Sequence, residues 1–243
     1  NLDWDRFCDI EFDLPDIQTQ RKYVEVYESL IANQRSYEYG LMDLQHTFDA
    51  LVDKQKHEAQ KRCMGSILAE IDQRNSDGTI TNVQGINITK KFMPSVANTT
   101  GVDLTRYKVV QKGQFAYSGM QTGRDECIRI ALYTGDEPII ISPAYTVMVP
   151  DDDTVLPEYV MIWFSRKESD RLGWFMSDAS IRTNLDLERF FEIEIPVPSL
   201  EIQKSIAEIY SVYVNRRDIN EKLKAQINSI CPILIRGSLS DGG

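Results

Sequence analysis

Apolar and polar residues follow the same two-part pattern at both ends of the chain. Between Phe191 and Val197, apolar residues alternate with glutamate or proline, which predicts a strand with one buried face. From Ile202 to Ile230, apolar residues recur at steps of three and four, interrupted at Arg216. This spacing predicts a long helix with a narrow apolar seam, which is typical of coiled-coil pairing.

The opening of the chain repeats this pattern. Residues 1–27 and 184–210 align at an offset of 183 residues, with 11 identical residues among 27 pairs. A second helical pattern, with a polar gap at Gln34, runs from Val24 to Leu51. Two such seams around one domain predict helices that pair antiparallel, with Gln34 and Arg216 fixing their register. The alternative is two amphipathic helices that each pack on a globular core.

Between the two helical patterns, the chain changes to short apolar runs separated by turn signals. Runs such as 79–83 and 127–133 predict strands, and helices are predicted near 158–165 and 168–175. The predicted fold class is α+β, a mixed α/β domain with two long α-helices forming an antiparallel coiled coil. The predicted boundaries are a terminal strand at 1–16, a helix at 17–72, the mixed domain at 73–198, a helix at 199–235 and a tail at 236–243.

Charge is distributed unevenly along the chain. The 243 residues carry a net charge of −10, yet residues 73–124 hold 7 basic and 2 acidic residues, a local balance of +5. A basic block can be an electrostatic footprint for nucleic acid, although the acidic total disfavours a general polyanion binder. The four cysteines lack metal-ligand spacing, and no apolar run approaches the ~20 residues of a membrane span. We therefore expect reduced thiols and a cytoplasmic location.

Motifs for catalysis and cofactor binding are missing from the sequence. The two histidines, His46 and His57, fall on the first predicted helix, away from any cluster of cysteine or carboxylate ligands. Neither a P-loop nor a dinucleotide-binding glycine motif occurs. A Ser-His-Asp triad cannot be built, because the mixed domain contains no histidine. The sequence therefore predicts no catalytic residue, no metal site and no bound cofactor.

Several loops of the mixed domain carry side chains suited to DNA. The segment from Tyr117 to Arg124 is polar and rich in glycine, and glutamine and arginine can bond adenine and guanine in the major groove. Lysine, serine and threonine can bind phosphate oxygens. The alternative for each loop is an ordinary solvated surface. The candidate DNA-binding residues are Lys90, Lys91, Tyr117, Ser118, Gln121, Thr122, Arg124, Ser180 and Arg182.

Five short motifs occur in a recognisable order. They are YKVVQKGQFAY from Tyr107, ISPAY from Ile141, PEY from Pro157, SIRTNL from Ser180 and IPVPSLEIQKSIA from Ile195. The last motif, a proline-rich strand end followed by a Gln-x-x-Ile-Ala helix, is the most specific. Together they resemble the target-recognition domain and the conserved helical regions of a Type I restriction-modification specificity subunit. The 183-residue offset suits the tandem design of that family.

This resemblance implies a non-catalytic subunit. Its recognition domain would read a few base pairs of double-stranded DNA, and its helices would act as a ruler and bind DNA methyltransferase subunits. The restriction endonuclease subunit would join through the complex, and the methyl donor and ATP would belong to those partners. Residues 1–16 would be the last part of a preceding recognition domain, which makes the chain a piece of a longer arrangement.

Polar side chains that occur in both copies are the candidate partner contacts. Gln20, Glu25, Gln203 and Glu208 occupy equivalent positions, which we interpret as two docking sites for one kind of partner, the methyltransferase. Two other functions stay open. The acidic charge favours a non-catalytic coiled-coil assembly scaffold, and a fused restriction–methylation enzyme could use the chain as its recognition part.

Overall fold

A computed structural model of the chain describes residues 3–11, 13–97, 101–120, 122–151, 153–178 and 183–241. Contacts divide the chain into a helical unit, Asn1–Thr47 with Ser211–Gly243, and a sheet unit, Phe48–Tyr210. Two helices of 42 residues, α2 (Ile17–Glu58) and α7 (Leu200–Asp241), contribute residues to both units. Within the described ranges, no helix is long and apolar enough to cross a membrane.

The other elements are short. The helices are α1 (Trp4–Cys8), α3 (Thr122–Asp125), α4 (Pro157–Phe164), α5 (Lys167–Met176) and α6 (Leu187–Glu192), with 3-10 turns at Met64–Ser66 and Leu104–Arg106. The strands are β1 (Gln60–Cys63), β2 (Leu68–Ile71), β3 (Val83–Ile86), β4 (Phe92–Pro94), β5 (Lys108–Val110), β6 (Phe115–Ser118), β7 (Arg129–Leu132), β8 (Ile139–Ile141), β9 (Thr146–Pro150) and β10 (Glu194–Val197).

Within the helical unit, α2 and α7 pair antiparallel. Tyr23, near the start of α2, packs against Gly237, near the end of α7, where an added Cβ would lie 3.0 Å from the tyrosine hydroxyl. Further along α2, Gln34 Nε2 donates to Asn220 Oδ1 at 2.9 Å. Residue numbers therefore rise on one helix as they fall on the other, and the predicted antiparallel coiled coil is confirmed.

A buried polar layer interrupts the apolar seam of this helix pair, but its members differ from the prediction. Gln34 is buried as expected, and its partner across the seam is Asn220, which is also buried. Arg216 instead lies with its guanidinium 5.7 Å from the ring centre of Tyr37. Ile219, which the spacing puts in the seam, is 41% exposed. The next residue, Asn220, is the buried one at this level of the helix pair.

Both long helices end at residues other than those predicted. The helix predicted at 17–72 is too long, because α2 ends at Glu58 and the following residues form β1 and β2. Ile67 and Leu68, whose apolar character fits a helix end, are buried in the core of the sheet unit instead. At the other end, α7 continues through Pro232 to Asp241, so the predicted helix end at 235 and the tail at 236–243 are wrong.

The predicted boundaries of the mixed domain change for the same reason. Strand β1 pairs antiparallel with β10, and β2 pairs antiparallel with β9. These ladders make residues 60–71 part of the sheets, whereas the sequence predicts a domain that spans 73–198. Contacts extend the sheet unit to Phe48–Tyr210.

The predicted terminal strand at 1–16 is also wrong for the described residues of that stretch. Trp4–Cys8 is a helix, and the side chain of Asp3 caps it by accepting from Asp5 N at 3.2 Å. In the second copy Asp186 caps α6 in the same way, accepting from Arg189 N at 2.8 Å. An aspartate that satisfies free N–H groups favours a helix start, so each copy begins with a short helix before any extended segment.

The sheet unit contains a two-stranded ribbon and two four-stranded sheets. The ribbon joins β1 and β10, one sheet has the order β2-β9-β6-β7, and the other has the order β4-β3-β8-β5. All pairs are antiparallel except β3 with β8. An apolar cluster that includes Ile86, Ala116 and Ile139 takes side chains from both sheets. The α+β class is therefore confirmed.

The larger apolar core of the sheet unit is rich in aromatic residues and includes side chains of its short helices. Tyr159, Phe164 and Phe190 are fully buried in it, and α4 and α5 lie where helices were predicted. The rings of Phe48 from α2 and Tyr210 from α7 meet with centroids 5.3 Å apart. The chain therefore enters and leaves the sheet unit at neighbouring points.

Candidate nucleic-acid interface

The turn after β6 packs tightly against the segment that precedes α6. A Cβ added to Gly119 would lie 1.7 Å from the carbonyl oxygen of Leu185, and one added to Gly123 would lie 2.5 Å from Thr183 Cβ. Leu185 N donates to the Gly119 carbonyl at 2.9 Å, and Gly123 N donates to the Thr183 carbonyl at 3.0 Å. Gly119 and Gly123 therefore permit close contact with the segment that precedes α6.

Three residues of this turn that were predicted to contact DNA are buried instead. The Tyr117 hydroxyl donates to the Leu185 carbonyl at 2.6 Å, and burial raises the pKa of this tyrosine. Thr122 is fully buried, and its Oγ1 donates to the Gly119 carbonyl at 3.0 Å. Ser118 is buried at the end of β6. The prediction that these side chains contact DNA is therefore wrong, since their surfaces are used to hold the turn.

The two lysines predicted to bind phosphate have different surroundings. The side chain of Lys90 is 7% exposed; its Nζ lies 2.5 Å from Asp170 Oδ1 and also donates to the Phe164 carbonyl. The same carboxylate oxygen accepts from Ile128 N at 2.9 Å, so the ion pair joins the loop before β4 to α5 and β7. The prediction of Lys90 as a DNA contact is wrong. Lys91 is exposed, and its assignment stays a prediction.

Arg124 is the exposed side chain of α3. Its side chain is 67% exposed, and its Nε lies 3.2 Å from Asp125 Oδ1. The other oxygen of Asp125 accepts from Arg129 Nη2. Burial alone would raise the pKa of Asp125, but the bonds from Arg129 and Arg124 hold it below its ordinary value of 3.8. An ionised aspartate between two guanidinium groups therefore orients both arginines on this surface.

Other residues predicted to contact DNA cannot be placed on this surface. Gln121, Ser180 and Arg182 lie outside the described residues. From the predicted set, the structure thus leaves Arg124 and Lys91 as exposed basic side chains.

An open cleft of about 360 Å³ lies beside Arg129, and the sequence does not predict it. Among the described residues its lining includes no aspartate or glutamate. A Cβ added to Gly85 would lie 3.3 Å from Tyr145 Oη, so the glycine leaves room for that ring. The polar side chains that line the cleft are Gln84, Ser95, Tyr107, Arg129, Ser142 and Tyr145.

A sequence signal for part of this cleft does exist. Tyr107 opens the first motif of the family resemblance, and Ser142 and Tyr145 belong to the second motif, ISPAY. These motifs indicate the family, but their local sequence does not distinguish a binding surface from a strand end. Gln84 and Ser95 carry no signal, because they lie in or beside short strands and share a surface with the tyrosines only in the folded chain.

Part of this surface lies in a stretch that matches a known protein family. Residues 124–229 match the family model of the Type I restriction modification DNA specificity domain. This stretch of the chain is similar to a Type I DNA specificity domain. The matched stretch begins at Arg124 and includes Arg129, Ser142 and Tyr145 of the cleft. No curated protein sequence matches the chain.

Solved structures of specificity subunits are similar to this chain. The S subunit of a Type-I restriction-modification system from M. genitalium aligns with a TM-score of 0.53 at 11% identity, over 91% of this chain and 60% of that one. The HsdS subunit from Thermoanaerobacter tengcongensis aligns with a TM-score of 0.48 at 13% identity, over 93% of this chain and 60% of that one. The chain thus spans about 60% of the length of these two subunits. The alignment with the M. genitalium subunit supports a shared fold.

The repeated glutamine of the second copy, which lies in the matched stretch, has a structural role. Gln203 is fully buried, and its Nε2 donates to the carbonyl oxygens of Thr154 at 2.9 Å and Pro198 at 2.8 Å. Its Oε1 accepts from Leu156 N at 2.8 Å. The side-chain amide therefore bonds three backbone groups around the start of α4. The prediction that Gln203 contacts a partner is wrong.

The other repeated side chains are accessible to different degrees. Gln20 is half-buried, and its Nε2 donates to the Pro15 carbonyl at 2.6 Å, the same bond that Gln203 makes in the second copy. Glu25 and Glu208 are both exposed. Their assignment as partner contacts stays a prediction.

Proposed function

We propose that the chain recognises a specific sequence of double-stranded DNA, as the specificity component of a Type I restriction-modification complex, and has no catalytic activity of its own. The observation that carries this proposal is the match of residues 124–229 to the DNA specificity domain family. The exposed Arg124 and a cleft that no described carboxylate lines are consistent with contact to an electronegative polymer. Such a protein would act where the genome is, so we keep the cytoplasm as its expected location.

The proposed DNA-binding surface combines Arg124 with the neighbouring cleft. The guanidinium of Arg124 is exposed and oriented by Asp125, which itself is bonded to Arg129. A planar guanidinium held in this way can bond guanine O6 and N7 bidentately, or a phosphate. Lys91 would add a sequence-independent phosphate contact.

Selection from a pool of duplexes with randomised positions, followed by fluorescence anisotropy at low and moderate salt, tests the proposal. We expect a consensus sequence and binding that weakens as salt increases. Arg124→Ala should lower affinity for the selected duplex by roughly tenfold or more, the usual effect of losing a bidentate base contact. The control Arg6→Ala removes the same charge from a side chain of the helical unit and should leave specificity unchanged.

The opposite outcome has a defined meaning. If no duplex binds even at low salt, the DNA-recognition function is refuted. The coiled-coil scaffold would then account best for the chain, since the net charge of −10 already favours it.

A methyltransferase subunit is the partner that we propose for the helical regions. Glu25 and Glu208 are exposed, and they occupy equivalent positions in the two copies. A duplicated surface is expected where two copies of one partner bind. Co-purification of the methyltransferase should weaken with the double variant Glu25→Lys/Glu208→Lys. The matched control is Glu28→Lys on the same helix, because Ser211 stands at the equivalent position and Glu28 is therefore not duplicated. Equal loss in both variants would contradict the proposal.

The first copy is proposed to support another recognition domain. Phe7 and Ile10 are 51% and 62% exposed, whereas their equivalents Phe190 and Ile193 are buried in the sheet unit. An apolar groove of about 550 Å³ within the helical unit lies beside Gln20. Phe7 and Ile10 are thus exposed at positions that, in the second copy, are covered by the sheet unit. Fusion of a second recognition domain before residue 1 should protect Trp4 and Phe7 from solvent, which Trp4 fluorescence and its quenching would report.

A further inference from the structure

The cleft beside Arg129 is a concave surface on a domain proposed to read DNA. Its volume of about 360 Å³ falls within the roughly 300–1,000 Å³ typical of small-molecule pockets. The phenol rings of Tyr107 and Tyr145 are half-buried, and neither hydroxyl bonds another described residue. The side chains of Gln84 and Ser142 also line the cleft and are half-buried. The cleft thus combines aromatic faces with neutral donors and acceptors.

The composition of the lining narrows the class of ligand. A cation is disfavoured, because no carboxylate lines the cleft among the described residues. A phosphate is disfavoured as well, because the positive charge of Arg129, the sole basic residue in that described lining, is offset by its ion pair with Asp125; the buried Nε of Arg129 bonds no described group and can donate to a neutral acceptor. A purely apolar group would leave the glutamine, serine and tyrosine polar atoms without partners. A flat heterocycle that carries both donors and acceptors satisfies all of these surfaces.

The shape of the cleft selects between two ways of contacting a base. Base edges inside a duplex are read by side chains that protrude into a groove, and a pocket cannot reach them. A pocket can hold a base only after the base has left the stack, as in proteins that unpair a nucleotide and read its Watson–Crick edge. Aromatic side chains then stack on the base. Resting on the proposed DNA-recognition function, we propose that this cleft binds one unpaired nucleobase of the recognised duplex through Gln84, Tyr107 and Tyr145.

The test uses the duplex obtained by selection, with 2-aminopurine placed at each position of the site in turn. At every position the fluorescent base faces either thymine, which pairs with it, or an abasic site, which leaves it unpaired. We expect one position at which the unpaired duplex binds roughly tenfold more tightly, because the cost of unpairing has been removed beforehand. At that position, 2-aminopurine fluorescence should change on binding, because the base passes from the DNA stack to tyrosine rings.

The variant for this test is Gln84→Leu/Tyr107→Phe/Tyr145→Phe, which removes edge recognition and keeps the aromatic rings. Its thermal unfolding should stay close to that of the parent, because the two hydroxyls bond no described residue and Gln84 loses only a long, exposed bond to Asn82 Oδ1 at 3.4 Å. The preference for the unpaired base should fall to about twofold or less. The control Tyr39→Phe changes an exposed tyrosine of α2 and should retain the preference.

Two results would overturn the inference separately from the proposed function. Equal binding of paired and unpaired duplexes at every position, or a preference that survives the triple variant, would exclude the cleft as a base pocket while sequence-specific binding stands. Failure of every duplex to bind would refute DNA recognition and this inference together.

Discussion

Gln34 Nε2 and Asn220 Oδ1 lie 2.9 Å apart inside the helix pair, and both residues are buried. A single change, Gln34→Leu or Asn220→Leu, should destabilise the protein by about 1–3 kcal/mol, because the remaining amide is left buried without its partner. The double change should be close to neutral or stabilising, since both polar groups are removed. A double-mutant cycle measured by urea unfolding gives the coupling energy. Additive losses in the double variant would show that the two amides do not act as a pair.

The ion pair between Glu38 and Lys224 should make the helical unit sensitive to acid. The bond from Lys224 and that from Gln34 hold the pKa of Glu38 below its ordinary value of 4.5. A carboxyl with a lowered folded-state pKa stabilises the protein above its unfolded pKa and loses that contribution as pH falls through the folded value. Glu38→Gln should therefore flatten the loss of thermal stability between about pH 5 and about pH 3, where carboxyl groups titrate. Glu25→Gln, a change at an exposed glutamate of the same helix, should retain the parent's acid profile.

The two repeated glutamines should differ in their contribution to stability. Gln203→Leu removes three bonds, those to Thr154 O, Pro198 O and Leu156 N, which predicts a loss of about 3 kcal/mol. Gln20→Leu removes one bond, to Pro15 O, and should cost about 1 kcal/mol. Urea unfolding of the two matched variants makes the comparison. Equal losses would mean that the bonds to Thr154 and Leu156 contribute little.

The two neighbouring lysines should separate stability from DNA binding. Lys90→Met leaves the half-buried Asp170 without its cation, which should cost about 1–3 kcal/mol, because Asp170 stays partly solvated and keeps its bond from Ile128 N. The affinity per folded molecule should stay unchanged, provided that binding is measured well below the unfolding temperature. Lys91→Ala should leave the unfolding temperature unchanged and reduce the salt dependence of DNA binding. The assignment of Lys91 would be refuted by an unchanged affinity and salt slope.

The spacing of apolar residues along the chain predicted the helices that neighbouring residues alone specify. The seam of three-four spacing specified the two long helices, and the aromatic run before Ser165 specified α4. The same spacing wrongly placed Ile67 and Leu68 in a helix. An apolar residue at the end of a helix cannot be distinguished by sequence from one in a sheet core until the partner strand is known. The strand ladders that bury them join residues distant in sequence, such as Leu68 with Pro150.

The candidate DNA contacts were predicted from residue type alone. Several of these side chains are buried in the fold and therefore cannot reach DNA. Tyr117 and Lys90 have side chains that often bind DNA, but here their polar atoms bond Leu185 and Asp170. Arg124 stays a candidate for contact with DNA, because α3 leaves its side chain exposed. The cleft could not be predicted, since its lining comes from separate segments between Val83 and Tyr145.

The contact between Phe48 and Tyr210 has a consequence for how such proteins can change over generations. Because the incoming and outgoing chain meet at one ring contact, the sheet unit resembles an inserted domain whose two ends are adjacent. Recombination with breakpoints near these two positions would exchange the whole sheet unit while preserving the local geometry of its entry and exit. Under the proposed function, new DNA sequence preferences would then arise by a single crossover event on each side, without passing through a series of destabilised intermediates in the sheet core.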